Sequence, residues 1–158
     1  MSNSAIERLK AERKAYRKER LQGFSAKPIS TANGELNFMK WICKIPGPPG
    51  PWSEGMYTLY LNFPDNYPTN PPKAVFTPPL FHPNVYDDGE VCLSLLSAEK
   101  DWKPTISIGT ILRNLQTFLN NPNNSDAANA PAFVLYGRSI KEYNERVKKE
   151  AKKFRPLE

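Results

Sequence analysis

The chain has 158 residues, 39% hydrophobic and 24% charged, with a net charge of +6 and two cysteines. That length predicts one domain spanning 1–158, able to bury about two-thirds of the surface of its unfolded chain. No apolar run approaches the ~18 residues of a membrane span, the charged N-terminus lacks the apolar centre of a secretory leader, and Cys43 and Cys92 lie too far apart to suggest a disulfide framework, so a soluble chain with reduced cysteines is expected.

Residues 4–20 predict a helix, with Ser4 and Glu7 as a capping box. Ile6, Leu9, Arg13 and Tyr16 share a narrow stripe, and Arg8, Lys14, Arg17 and Lys18 are expected on the opposite surface. Residues 1–20 hold seven Lys/Arg against three Asp/Glu. Phe24–Lys27 reads as a short extended segment ended by Pro28. Asn33-Gly34 is a hairpin turn, and Leu36–Ile45 is a strand. PGPPGP at 46–51 forces a loop, because repeated proline removes backbone donors. Met56–Phe63 alternates Tyr57, Leu59 and Leu61 with Thr58, Tyr60 and Asn62, which predicts a half-buried strand. The prolines of 67–72 make a rigid turn, in which the Tyr67–Pro68 bond is trans by default and cis is plausible after an aromatic residue. Ala74–Phe76 is a fourth short strand.

After residue 96 the pattern becomes helical. Ile108, Ile111, Leu112, Leu115, Phe118 and Leu119 keep a 3.6-residue period up to Asn120-Asn121-Pro122. Asn123–Asn129 is a polar loop and Ala130–Tyr136 a short apolar segment. Ser139 and Glu142 form a second capping box, opening a final helix striped by Ile140, Tyr143, Val147, Ala151 and Phe154. Residues 138–158 hold eight Lys/Arg against four Asp/Glu, so both ends are basic, while the middle is slightly acidic. Solvated helix faces, or contact with nucleic acid, an anionic membrane or an acidic protein, would each explain this. A helix, a four-stranded antiparallel meander and then helices argue an α+β fold.

The chemistry-bearing stretch is Phe81–Leu96, FHPNVYDDGEVCLSLL. Cys92 lies ten residues after His82, the only histidine. A lone cysteine in apolar surroundings is commonly a small buried hydrophobe, and Cys43, beside Trp41 and Ile42, fits that reading. Cys92 instead follows the Asp87-Asp88-Gly89 turn and precedes four residues too few for an ordinary helix, which places its sulfur near a loop end. His82 could serve it as a base, or could brace a turn before Pro83. Two cysteines and one histidine are too few for a structural zinc, so no metal is expected. The carboxamide of Asn84 could donate to an oxyanion or close its own turn. Asp126 could orient or deprotonate an incoming amine, or could cap the helix that follows.

His82-Pro83-Asn84, Cys92 eight residues later, then Trp102-x-Pro104, together with Tyr67-Pro68-x-x-Pro71-Pro72, resemble the ubiquitin-like conjugating enzymes over essentially the whole chain. RLKAERKAYRKER, PPLFHPNVY, VCLSLL, DWKPTISI and AKKFRP are most similar to the SUMO-conjugating branch. The resemblance implies a catalytic core domain with an N-terminal helix, a four-stranded antiparallel sheet and C-terminal helices. It implies that Cys92 accepts SUMO as a thioester from an activating enzyme, where ATP is consumed, so that no cofactor is expected here. A target lysine would attack the thioester. Asn84 would stabilise the oxyanion, Tyr86 would pack on the lysine's alkyl chain, and Asp126 would position and desolvate its amine. Lys73, Asp88, Glu90, Ala128 and Phe133 would meet the acceptor segment. Arg13, Lys14, Arg17, Lys18 and Arg20 would meet SUMO, bound covalently or not, or the activating enzyme. SUMO ligases are further implied partners, with a monomer working in nucleus and cytoplasm.

The chain departs from that branch in places. Ala127 replaces a usual proline, Phe133 a usual tyrosine, and Val75 a common lysine. Asp88 and Glu90 replace the serine and threonine that, with a lysine at 73, read an acidic residue beyond the acceptor lysine. Like-charge repulsion should weaken that reading. Three other readings compete: the same fold working on ubiquitin, a non-catalytic scaffold, and a basic nucleic-acid binder. The basic helix and the closeness of the match disfavour the first. Cys92 and Asn84 together disfavour the second. The third lacks aromatic residues clustered among its basic ones.

Overall fold

A computed structural model describes residues 3–156. Helix α1 spans Asn3–Glu19, and strands β1 (Ser25–Ser30), β2 (Leu36–Pro46), β3 (Met56–Asn62) and β4 (Lys73–Phe76) follow. A 3-10 turn at Ser94–Leu96 leads to α2 (Ile108–Asn120), α3 (Ala130–Arg138) and α4 (Ile140–Lys152). The strands form one antiparallel sheet in the order β1-β2-β3-β4.

Alternation decides which sheet face is buried. Trp41, Cys43 and Ile45 of β2, Tyr57, Leu59 and Leu61 of β3, and Ala74 and Phe76 of β4 are all buried. They share one core with Ile108, Ile111, Leu112, Leu115, Phe118 and Leu119 of α2. On the opposite face a row runs Lys27–Ile42–Tyr60–Val75 and continues through an isolated bridge to Glu90. The last strand is thereby tied to the loop that carries Cys92.

Some local expectations are corrected. The first helix includes Asn3, so Ser4 lies inside the first turn rather than at its cap. Its buried stripe is Ala5, Leu9 and Tyr16, with the nearly buried Glu12 where Arg13 was expected. Arg8 faces the domain as well: it pairs with Glu12 at 3.2 Å and lies over the Tyr67 ring. Glu12 accepts the first backbone N–H of α2, from Ile108, at 3.0 Å. Strand β1 runs through Pro28 to Ser30, because a register shift between Pro28 and Ile29 absorbs the missing donor. Tyr67–Pro68 is cis, as is Thr77–Pro78. The apolar segment 130–136 is a helix, α3, reaching Arg138. Ser139 caps α4, accepting from the Glu142 N–H at 3.2 Å, while the Glu142 carboxylate turns to Arg138.

Candidate functional site

The stretch around Cys92 is a small hairpin pinned to β4. Val85 bridges Val91, and the turn between closes with Tyr86 N–H donating to Glu90 O and Gly89 N–H to Tyr86 O, each at 2.9 Å. Phe76 N–H donates to Gly89 O at 2.8 Å, and Val91 N–H to Ala74 O at 2.9 Å. Gly89 is required here. Its φ is +93°, and a Cβ would stand 2.1 Å from the Phe76 carbonyl oxygen. Cys92 N–H donates to Asn84 O at 2.9 Å, which sets the cysteine directly opposite the asparagine.

His82 does not reach the thiol. It is fully buried, stacked on Phe118 with ring centroids 4.2 Å apart. Its Nε2 donates to the Phe118 carbonyl at 2.9 Å, and its Nδ1 accepts from Asn84 N–H at 3.0 Å. That pair of roles demands the neutral ring. Burial pushes its pKa down to about 4, against the Phe118 bond, which favours the charged form. The dyad reading therefore falls and the turn-bracing reading holds. Pro83 is buried beside it, and its carbonyl accepts from Asn129 N–H at 3.1 Å.

Asn84, also fully buried, ties down the polar loop. Its Oδ1 accepts from Asn123 N–H at 2.9 Å, and its Nδ2 donates to Asp126 O at 2.7 Å and to Asn123 O at 3.2 Å. Asn123 completes the knot: its Oδ1 accepts the N–H groups of Ser125 at 3.0 Å and Asp126 at 3.1 Å. The sequence reading missed Asn123, whose only signal is its place in a run of asparagines that also reads as a helix stop.

The knot delivers Asp126 to the cysteine. The capping reading of Asp126 is wrong, because Asn129 caps α3 by accepting from Ala132 N–H at 3.2 Å. The Asp126 carboxylate is left to act on the Cys92 thiol, and the Tyr86 hydroxyl acts on the same sulfur. Cys92 is half-buried, and its pKa is raised first by burial, then by the charge and hydrogen bond of Asp126. Lys100 and the Tyr86 hydroxyl act in the opposite sense. Lys100 is a second group that sequence reading missed; it lies in the turn after the 3-10 segment, held by its N–H to Ser97 O at 3.0 Å. The Tyr86 side chain is 43% exposed, leaving its ring open to an approaching chain.

The other anticipated residues fall in two places. Lys73 pairs with Glu90 at 4.0 Å, and the Asp88 carboxylate accepts from Glu90 N–H at 2.9 Å. Ala128 and Phe133 are half-buried, with Phe133 N–H bonded to Asn129 O. Arg13, Lys14, Arg17, Lys18 and Arg20 all lie away from Cys92, on α1 and at its end. Arg13, Lys14 and Arg17 join Lys10 and Phe38 around a depression of about 300 Å³.

A profile described as "Ubiquitin-conjugating enzyme" matches residues 8–151. The chain is 50% identical over 155 residues to a protein of Caenorhabditis elegans named SUMO-conjugating enzyme UBC9, covering 98% of this chain and 93% of the relative. It is 40% identical over 157 residues to one of Dictyostelium discoideum named Sumo-conjugating enzyme ubc9, covering 99% of each.

Proposed function

The chain belongs to the ubiquitin-conjugating enzyme family, and from that premise we propose that it conjugates SUMO to target-protein lysines through a thioester on Cys92. The observation that carries the mechanism is that Cys92 meets a carboxylate and a phenol while the one histidine is buried against Phe118. Such a site suits acyl transfer from an activated thioester, where orientation and electrostatics do most of what a strong base would otherwise do.

In the first step the Cys92 sulfur attacks the thioester carbonyl that joins SUMO to its activating enzyme. The new C–S bond forms, the old one breaks, and the thiol proton passes to the departing sulfur. In the second, an acceptor lysine amine attacks the Cys92 thioester. A C–N bond forms, the C–S bond breaks, and the amine's surplus proton passes by way of Asp126 to the released Cys92 thiolate. Tyr86 lies along the lysine's alkyl chain. Asn84 turns one Nδ2 hydrogen from the 123–126 loop to the oxyanion as it develops. Lys73, Asp88, Glu90, Ala128 and Phe133 line the acceptor's path. Arg13, Lys14, Arg17, Lys18 and Arg20 meet SUMO or the activating enzyme, whose acidic surfaces they would draw in. SUMO ligases complete the set of partners. The working unit is a monomer in nucleus and cytoplasm, a placement that suits two unpaired cysteines.

The test is incubation with activating enzyme, ATP and either SUMO or ubiquitin, read on a non-reducing gel. A thiol-sensitive SUMO adduct that Cys92→Ala lacks is expected. An adduct with ubiquitin alone, or none, overturns the reading.

A further inference from the structure

Helix α4 carries a face that conjugation chemistry leaves unused. Lys141, Lys148 and Lys152 recur at intervals of seven and four residues, which places them on one stripe of a 3.6-residue helix. Among the described residues none of the three has an ion-pair partner, whereas Arg138, Arg146, Lys153 and Arg155 each have one. The Lys148–Lys152 end of the stripe faces the β2–β3 loop. Lys148, Lys152, Gly50 and Ser53 surround a depression of about 300 Å³. Glu54, the carboxylate lining it, is neutralised by Arg155 at 3.0 Å.

Through Pro51 this depression adjoins a cavity of about 230 Å³, lined by Trp52, Pro122, Ile140 and Tyr143 among others. Ile140 stands 58% exposed beside it, a large apolar side chain with little cover. Tyr143 is 2% exposed, and its hydroxyl has no partner among the described residues. A cavity of mixed lining, in which Asn120 and Asn144 join Trp52 and Ile140, and two unpaired lysines thus lie along one groove.

We propose that the groove between α4 and the β2–β3 loop docks an extended acidic peptide of a partner protein. An apolar side chain enters the Tyr143 cavity, and carboxylates meet Lys148 and Lys152. Tyr143 lies roughly 7–14 Å along the helix axis from the two lysines at about 1.5 Å per residue. An extended chain advances about 3.3 Å per residue, so roughly two to four residues separate the anchor from the acids. A nucleic-acid backbone would use the lysines but would leave the exposed Ile140 side chain and the cavity beside it unfilled. The groove is separate from the Cys92 thiol, so the proposal stands or falls apart from the conjugation reading.

The test is titration of the 15N-labelled full chain with the peptide Leu-Ser-Glu-Glu-Asp-Glu, blocked at both ends, and with its reversed sequence. Controls are a version with serine for leucine and a single-stranded oligonucleotide. The expected result is amide shifts confined to Trp52–Glu54 and Ile140–Lys152 with at least one of the two peptide orders. Binding should weaken about tenfold or more in Lys148→Glu/Lys152→Glu, as loss of two charge contacts implies. The serine control and Ile140→Ser should each weaken it as well. Both variants should keep the dispersed amide spectrum of the unmodified chain, which shows that they fold. Absence of shifts in both orders, shifts centred on α1, or equal binding by the serine control or the oligonucleotide would overturn the proposal.

Discussion

The Cys92 thiol lies among groups with opposite effects on its proton. Burial and the Asp126 carboxylate hold the thiol protonated, whereas the Lys100 ammonium and, after it, the Tyr86 hydroxyl favour the thiolate. Replacing Asp126 by Asn should therefore shift the pH profile of Cys92 alkylation to lower pH. Tyr86→Phe should shift it to higher pH, and iodoacetamide kinetics across the alkaline range would read both. Shifts of the same sign in the two variants would contradict the arrangement. Lys73 offers a second test at this scale. Its ammonium is already paired with Glu90, so an acidic residue beyond the acceptor lysine gains little from it. Peptides with Glu or Ala at that place should be conjugated at similar rates. Glu90→Ala should raise the preference for Glu by up to about fivefold, the ceiling set by the ~1 kcal/mol of an exposed pair. A strong preference in the unmodified chain would sink the idea.

Among the elements, α1 is more than a basic face. Its Glu12 carboxylate receives the Ile108 N–H and also holds Arg8, so one side chain from α1 caps α2 from outside. Glu12→Ala should cost about 1–2 kcal/mol, the range of a lost helix cap, measured by urea unfolding. By contrast, Gly137 lies in α3 with nothing within 4 Å of where a Cβ would stand. Gly137→Ala should add about 0.5–1 kcal/mol, because the unfolded chain loses freedom and no contact is strained. The strands and α2 were legible from alternation and period, since those patterns report one buried face directly. Glu12 was not, because a charged residue on an amphipathic helix reads as solvated until its partner 96 positions away is in place.

For the whole molecule, the histidine links stability to pH. The folded pKa of His82 is about 4 against an ordinary 6.5, so the unfolded chain binds the extra proton first as pH falls. Its contribution is complete above the ordinary value and is lost as pH falls toward the folded one. A loss of about 2 kcal/mol between pH 7 and pH 5 is expected, and denaturant midpoints at the two values would measure it. In His82→Gln that loss should be much smaller, on a lower overall stability. The same scale governs charge. Basic residues at both chain ends meet different neighbours, with α1 around Phe38 and α4 along the β2–β3 loop, so one excess of positive charge yields two separate surfaces.

The sequence by itself determined the meander and the central helix, because burial of one face imposes a period on the chain. It also singled out Cys92 as the candidate for the chemistry, because it follows the Asp87-Asp88-Gly89 turn near a loop end. Tertiary structure decided which groups meet that sulfur. Asp126 reads equally well as a helix cap or a partner for an amine, and only the knot of Asn84 and Asn123 turns its carboxylate to Cys92. His82 reads equally well as a base or a brace, and only the packing of Phe118 over its ring removes it from the chemistry. In both cases the deciding contacts join residues more than 30 positions apart. Local propensity carries no information about such pairs, because they form only when the sheet and α2 close on one core.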